Sequence, residues 1–114
     1  MINKETAQHY TWGNNCHGWH LVKQLELSVI QELMPPKTYE TRHYHQKSCQ
    51  FFFILSGEAT IEIAGKRQVL CQHEGVEVPS GVSHQILNES KQDLEFLVIS
   101  QPPSHGDRIL SDTI

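Results

Sequence analysis

The chain has 114 residues, enough for one hydrophobic core and too few for two. Its formal charge of −4, with nine basic residues against thirteen acidic ones, includes no basic block, so neither nucleic acid nor an anionic membrane is an expected partner. No apolar segment behind the N-terminus has the form of an export signal and none reaches transmembrane length, which predicts a soluble cytoplasmic protein.

Proline and glycine punctuate the sequence at short intervals, at Pro35-Pro36, Pro79, Pro102-Pro103 and seven glycines. Between them lie short segments rich in Val, Ile, Phe and Leu, the pattern of an all-β protein. In chain order the expected strands are Gly18 to Leu25, Leu27 to Met34, Thr38 to His45 and Cys49 to Gly57. Glu58 to Gly65, Lys66 to Gln72, Gly75 to Gly81, His84 to Glu89 and Leu94 to Ser100 follow. Short strands joined by tight turns such as "IAGKR" predict a sandwich or barrel closed as a jelly roll. The barrel core is expected at about 25–100, with N-terminal strands within 1–24 and a tail at 101–114, all one domain.

The segment Thr38 to His45 ends "RHYH". Alternation along a strand sends His43 and His45 to one side and Tyr44 to the other, where it is read as core or interface. In "CQFFFILSG", Gln50, Phe52 and Ile54 share one face, and Phe51, Phe53 and Leu55 share the opposite one. Both faces are apolar after Gln50, so both are expected to be covered, the outer one by a second subunit. A buried amide at the head of such a strand needs a hydrogen bond or a ligand. Farther along, "VPSGVSHQILN" offers a third imidazole, His84, with Ile86 and Asn88 on its face. Three histidines and the Gln50 carbonyl make a shell for a divalent first-row metal with open positions, such as Zn, Ni, Mn or Fe.

Two spacings now carry a family resemblance. His43 and His45 are followed by four residues, Gln50, six residues and Gly57, while Pro79, Gly81, His84 and Asn88 stand in the order Pro-x-Gly-x2-His-x3-Asn. Together these motifs resemble those of the cupin superfamily, small single-domain members in particular, over roughly residues 37–90. The resemblance implies a double-stranded β-helix, or jelly-roll β-barrel, with metal ligands His43, His45, Gln50 and His84 inside it. A homodimer is implied as well. Lys37 stands where the first motif has glycine, and Gly75 lies two residues closer to Pro79 than the second motif has it. Gln50 replaces the usual glutamate, leaving a double positive charge that neutral ligands do not offset and that favours a small anionic ligand.

Beyond the metal, Phe52, Ile86 and Phe96 are expected to line an apolar cavity, with Met34 at its rim. The segment Ser100 to Leu110 follows the last expected strand and gathers Ser104, His105, Asp107 and Arg108. A tail folding across the barrel mouth would supply a general base or acid from His105 or Asp107 and an arginine clamp from Arg108. The bland alternative is a solvated turn with Asp107 and Arg108 weakly paired. His9, His17, His20 and His73 have no spacing that links them to the site. Trp12 and Trp19 are expected to close one end of the core, and Cys16, Cys49 and Cys71 to be reduced thiols.

Three functions fit these residues. The first is a metal-dependent isomerase or tautomerase acting on a sugar acid or related hydroxy-carbonyl compound. Small cupins that ketonise unsaturated uronates are similar in size and also carry glutamine at the fourth ligand position. The others are an Fe(II)-dependent dioxygenase and a non-catalytic, metal-dependent binder of a small ligand.

Overall fold

A computed structural model describes residues 1–111. The strands are β1 (Gln8–Trp12), β2 (Cys16–Lys23), β3 (Ser28–Met34), β4 (Thr38–Tyr39), β5 (His43–Tyr44) and β6 (Cys49–Ser56). They continue with β7 (Ala59–Ile63), β8 (Lys66–Leu70), β9 (Gly75–Val78), β10 (His84–Asn88), β11 (Leu94–Gln101) and β12 (Ile109–Leu110). One sheet runs in the order β1-β2-β3-β11-β6-β9. The other runs β12-β5-β10-β7-β8, with β4 also paired to β10. Antiparallel strands wound between two facing sheets are the double-stranded β-helix that the sequence predicts.

Period-two alternation builds the interior. Ser28, Ile30, Glu32 and Met34 of β3 face inward, as do Gln50, Phe52 and Ile54 of β6 and Leu94, Phe96, Val98 and Ser100 of β11. Phe52, Ile54, Phe96, Val98, Met34 and Leu94 join Ile61 of β7 and Ile86 of β10 in a single core cluster. The opposite face of β6 is less covered than the sequence suggests. Phe51 is 36% exposed, and Phe53 and Leu55 are half-buried. Phe51 and Phe53 stack at 6.3 Å, and His73 stacks on Phe53 at 6.2 Å.

β1 falls within the region 1–24 where N-terminal strands are expected, though ahead of the first bounded one, and β12 lies in the expected tail. β1 pairs with β2 from Gln8↔His20 to Trp12↔Cys16, and β12 pairs with β5 through Ile109↔Tyr44. The expected strand Thr38 to His45 is two strands. His84 pairs with His43 while Leu87 pairs with Tyr39, so three residues (40, 41 and 42) stand opposite two (85 and 86). An extra residue in one strand reverses the side on which later side chains fall. Glu40 and His43, of opposite parity, therefore both line the interior cavity.

Three motif residues are explained by the turns they make. Gly57 has φ +86°, and a Cβ there would lie 2.5 Å from the Asp93 carbonyl oxygen. The Gly81 amide donates to the His45 carbonyl at 2.6 Å, tying one motif to the other. Asn88 is fully buried; its Nδ2 donates to the Met34 and Gln92 carbonyls, each at 2.8 Å, and its Oδ1 accepts from the Ser90 amide and hydroxyl. Asn88 thus fastens the end of β10 to the end of β3 and to the turn before β11.

Met34 is fully buried in the core and not at a rim, because it pairs with Leu94 at the end of the barrel away from the histidines. Trp12 packs partly against the core, whereas Trp19 lies outside it against His9 and His17 with the Lys4 ammonium 4.7 Å from its ring. Cys16 is buried, Cys49 and Cys71 are exposed, and all three are free thiols. No helix among the described residues is long and apolar enough to cross a membrane.

Candidate metal centre

His43 leads β5, His84 leads β10, and the two are cross-strand partners; His45 follows β5 by one residue. Potential ligand atoms of the three rings all lie within 4.8 Å of one another, and all three residues are buried. Each ring is fixed through Nδ1 by a backbone carbonyl: His43 by Thr41 at 2.7 Å, His84 by Val82 at 2.9 Å and His45 by Asp107. A carbonyl only accepts, so each Nδ1 carries the proton and each Nε2 presents a lone pair.

Among the described residues no donor answers the Nε2 lone pairs of His45 and His84. His45 Nε2 is buried without a hydrogen-bond partner. His84 Nε2 faces Gln50 Oε1 at 3.1 Å, and the Gln50 Nε2 donates to the Ser100 hydroxyl at 3.0 Å, which leaves Oε1 as an acceptor opposed to an acceptor. Two such atoms about 3 Å apart are spaced as neighbouring ligands of an ion with bonds of about 2.1 Å. Burial pushes His43 down to about 3 and His84 to about 4, so both are neutral at physiological pH, the form a metal requires. The donor set fits a divalent transition metal held by His43, His45, His84 and Gln50.

His43, His45 and Gln50 open on a cavity of about 300 Å³. Phe52, Ile30, Val98 and Trp12 make its apolar wall, and Glu32 and Glu40 its acidic one. Tyr10 donates to Glu32 Oε2 at 3.0 Å, and Glu40 Oε1 accepts from the Ile86 amide at 3.0 Å. Burial raises Glu32 to about 7 and Glu40 to about 8; the charge of Glu32 further raises Glu40, and that of Arg108 opposes both rises. Burial likewise raises the Tyr10 hydroxyl, with the Glu32 charge adding to the effect. Gly18 makes the Tyr10–Glu32 contact possible. Tyr10, Gly18 and Glu32 are successive cross-strand partners on β1, β2 and β3. A Cβ on Gly18 would lie 2.2 Å from the Tyr10 ring, so the ring lies directly across the glycine.

Comparison with known proteins agrees with this geometry. The family described as the cupin domain matches residues 30–100, more than half of the chain. The chain belongs to the cupin family. Over 60 residues the cupin is 35% identical to mannose-1-phosphate guanylyltransferase of Salmonella montevideo, a match covering 53% of this chain and only 12% of that protein. Its fold is similar to that of a predicted oxalate decarboxylase from Thermotoga maritima, with a TM-score of 0.82 at 21% identity, covering 90% of this chain and 99% of that one. It is also similar to a sugar phosphate isomerase of the cupin superfamily from Silicibacter pomeroyi, with a TM-score of 0.82 at 16% identity over 99% of this chain and 82% of that one. At these identities the two structures establish likeness of fold alone.

In this cupin the C-terminal tail does cross the barrel mouth, and Ser104, His105, Gly106 and Arg108 line the cavity. The Asp107 carboxylate faces elsewhere. It accepts the amides of Gln46 at 2.8 Å, Lys47 at 2.9 Å and Ser48 at 3.0 Å, and these bonds, that of Lys47 foremost, hold it below the usual carboxylate range. Arg108 is exposed, with Nη2 3.4 Å from the Thr41 carbonyl. Phe52 lines the cavity, but Ile86 and Phe96 do not; they are 1% and 0% exposed in the core. The cavity sits at the His84 and Ser100 ends of β10 and β11, and Ile86 and Phe96 lie two and four residues down those strands.

Glu32 and Glu40, which the motifs do not single out, make the wall acidic where an apolar one is expected. Glu32 had a signal: in "VIQELM" alternation places it with Ile30 and Met34, a carboxylate on a core-facing stripe. Glu40 had none, since the break after β4 is what turns it inward.

Proposed function

We propose that this cupin is a metal-dependent isomerase or tautomerase acting on a small anionic hydroxy-carbonyl compound of sugar-acid size. The observation that carries the reading is the pair Glu32 and Glu40, which line one cavity with His43 and His45 and are raised by burial to about 7 and 8. A divalent metal held by His43, His45, His84 and Gln50 would supply Lewis-acid polarisation of a ligand oxygen.

The chain's own residues would do the rest. Near neutral pH a carboxylate pair with these values holds one ionised and one protonated member. The ionised one takes a proton from the carbon beside the ligand carbonyl, and the protonated one returns a proton at the neighbouring position. Tyr10, through its bond to Glu32 Oε2, holds that carboxyl in place. Phe52, Ile30 and Val98 keep water from the reacting carbon. Arg108 and His105 at the mouth favour a ligand carboxylate, and the neutral amide of Gln50 leaves charge at the centre for an anion to balance.

The test is deuterium incorporation at carbon when metal-loaded protein is incubated in D2O with a panel of sugar acids and keto acids. Exchange that falls by about 10²–10⁴-fold in Glu32→Gln or Glu40→Gln supports the reading. Substrate-dependent oxygen uptake without exchange would favour the iron-dependent dioxygenase instead. Saturable binding with neither would favour a non-catalytic binder.

A further inference from the structure

A second cavity, about 380 Å³, adjoins the first and shares Tyr10, Ile30, Ser104 and His105 with it. Tyr10 is the partition. Its hydroxyl serves Glu32 in the first cavity, and its ring lies 5.1 Å from that of His20, which lines only the second. The two compartments differ in charge. None of the residues lining the second cavity is acidic, and Lys23 and His20 are among them with the shared His105. Lys23 Nζ donates to the Gln8 side-chain carbonyl at 3.1 Å and forms no ion pair among the described residues, so its charge is not offset by a carboxylate. His20 Nδ1 is buried without a hydrogen-bond partner. A recess with an uncompensated ammonium, an unanswered ring nitrogen and the Ser104 hydroxyl suits an oxyanion, which accepts several hydrogen bonds and supplies the missing charge.

We propose that this second cavity is a distal oxyanion subsite, holding a phosphate monoester or second carboxylate of a ligand whose other end lies among His43, His45 and His84. The proposal rests on the metal cavity being the ligand's reactive site. It narrows the substrate class to elongated, doubly functional molecules: a carbonyl or hydroxyl at one end and an oxyanion at the other, passing between Tyr10 and the tail residues Ser104 and His105.

The experiment is side-chain ¹⁵N NMR of the histidines in zinc-loaded full-length protein, titrated with inorganic phosphate and separately with acetate. His20→Gln and His105→Gln assign the signals. Expected are saturable shifts of the His20 and His105 rings that weaken about tenfold in Lys23→Ala and persist in His84→Ala. Preference for phosphate over acetate would identify a phosphate ester, and equal binding a carboxylate. An unmoved His20 signal with both anions, or shifts unchanged by Lys23→Ala, would overturn the subsite. Shifts abolished by His84→Ala would place the anion at the metal and overturn it too, leaving the metal-site reading intact. Lys23-dependent binding without proton exchange at carbon would instead remove only the isomerase reading.

Discussion

Asp107 holds His45 from two sides of the peptide unit. Its carbonyl accepts the His45 Nδ1–H, while its carboxylate accepts three successive amides from Gln46 to Ser48, the loop directly after that histidine. The tail therefore does more than cover the barrel mouth: it sets the tautomer and direction of a candidate metal ligand. We propose that Asp107 is a positioning residue. Asp107→Ala should leave the barrel folded and weaken metal binding by about 10–100-fold, measured by competition with a chromophoric chelator. Unchanged affinity would show that His45 is held well enough without the tail.

Lys37 occupies the position where the family motif has glycine, and the structure gives the reason for glycine there. Its φ is +63°, in the left-handed region. Its amide donates to the Asn88 carbonyl at 2.8 Å and its ammonium to the Glu89 carbonyl at 2.6 Å, the latter at the surface. Lys37→Gly removes the left-handed penalty of about 1 kcal/mol or more and loses one exposed hydrogen bond. It should stabilise the protein by about 0.5–1 kcal/mol in urea unfolding. A loss of stability would mean that the Lys37–Glu89 contact outweighs the backbone strain.

The metal-free protein should be most stable in mildly acidic solution. His43 and His84 titrate below their ordinary 6.5 when folded, so their contribution is present above 6.5 and lost as pH falls toward 4 and 3. Glu32 and Glu40 titrate above their ordinary 4.5, so theirs is present below 4.5 and lost as pH rises through 7 and 8. Between 4.5 and 6.5 the two pairs oppose each other; above 6.5 the glutamates act alone. Thermal unfolding in chelator should therefore show Tm declining from pH 6.5 to 8, with the decline flattened in the Glu32→Gln, Glu40→Gln double variant. An equal decline in that variant would place the titrating groups elsewhere.

The barrel and three of its histidines are legible in the sequence because both rest on local rules. Period two sets the inner face of "CQFFFILSG", and the turns at Gly57 and Gly81 require backbone that glycine adopts freely. What the sequence hides depends on long-range pairing. Glu40 reaches the cavity only because the pairing with β10 slips by one residue between Tyr39 and His43. Tyr10 reaches Glu32 only because β1 closes the sheet edge and Gly18 leaves room for the ring. The dense polar tail divides similarly: Asp107 spends its carboxylate on the loop after His45, while His105 and Arg108 line the cavity.

The central claim is that His43, His45, His84 and Gln50 hold one metal ion, and elemental analysis of the purified protein beside His84→Ala tests it most directly. Circular dichroism should show both folded. About one divalent transition-metal ion per chain in the parent and less than about a tenth of that in His84→Ala is the expected result. Equal metal content in the two, with both folded, would contradict the site.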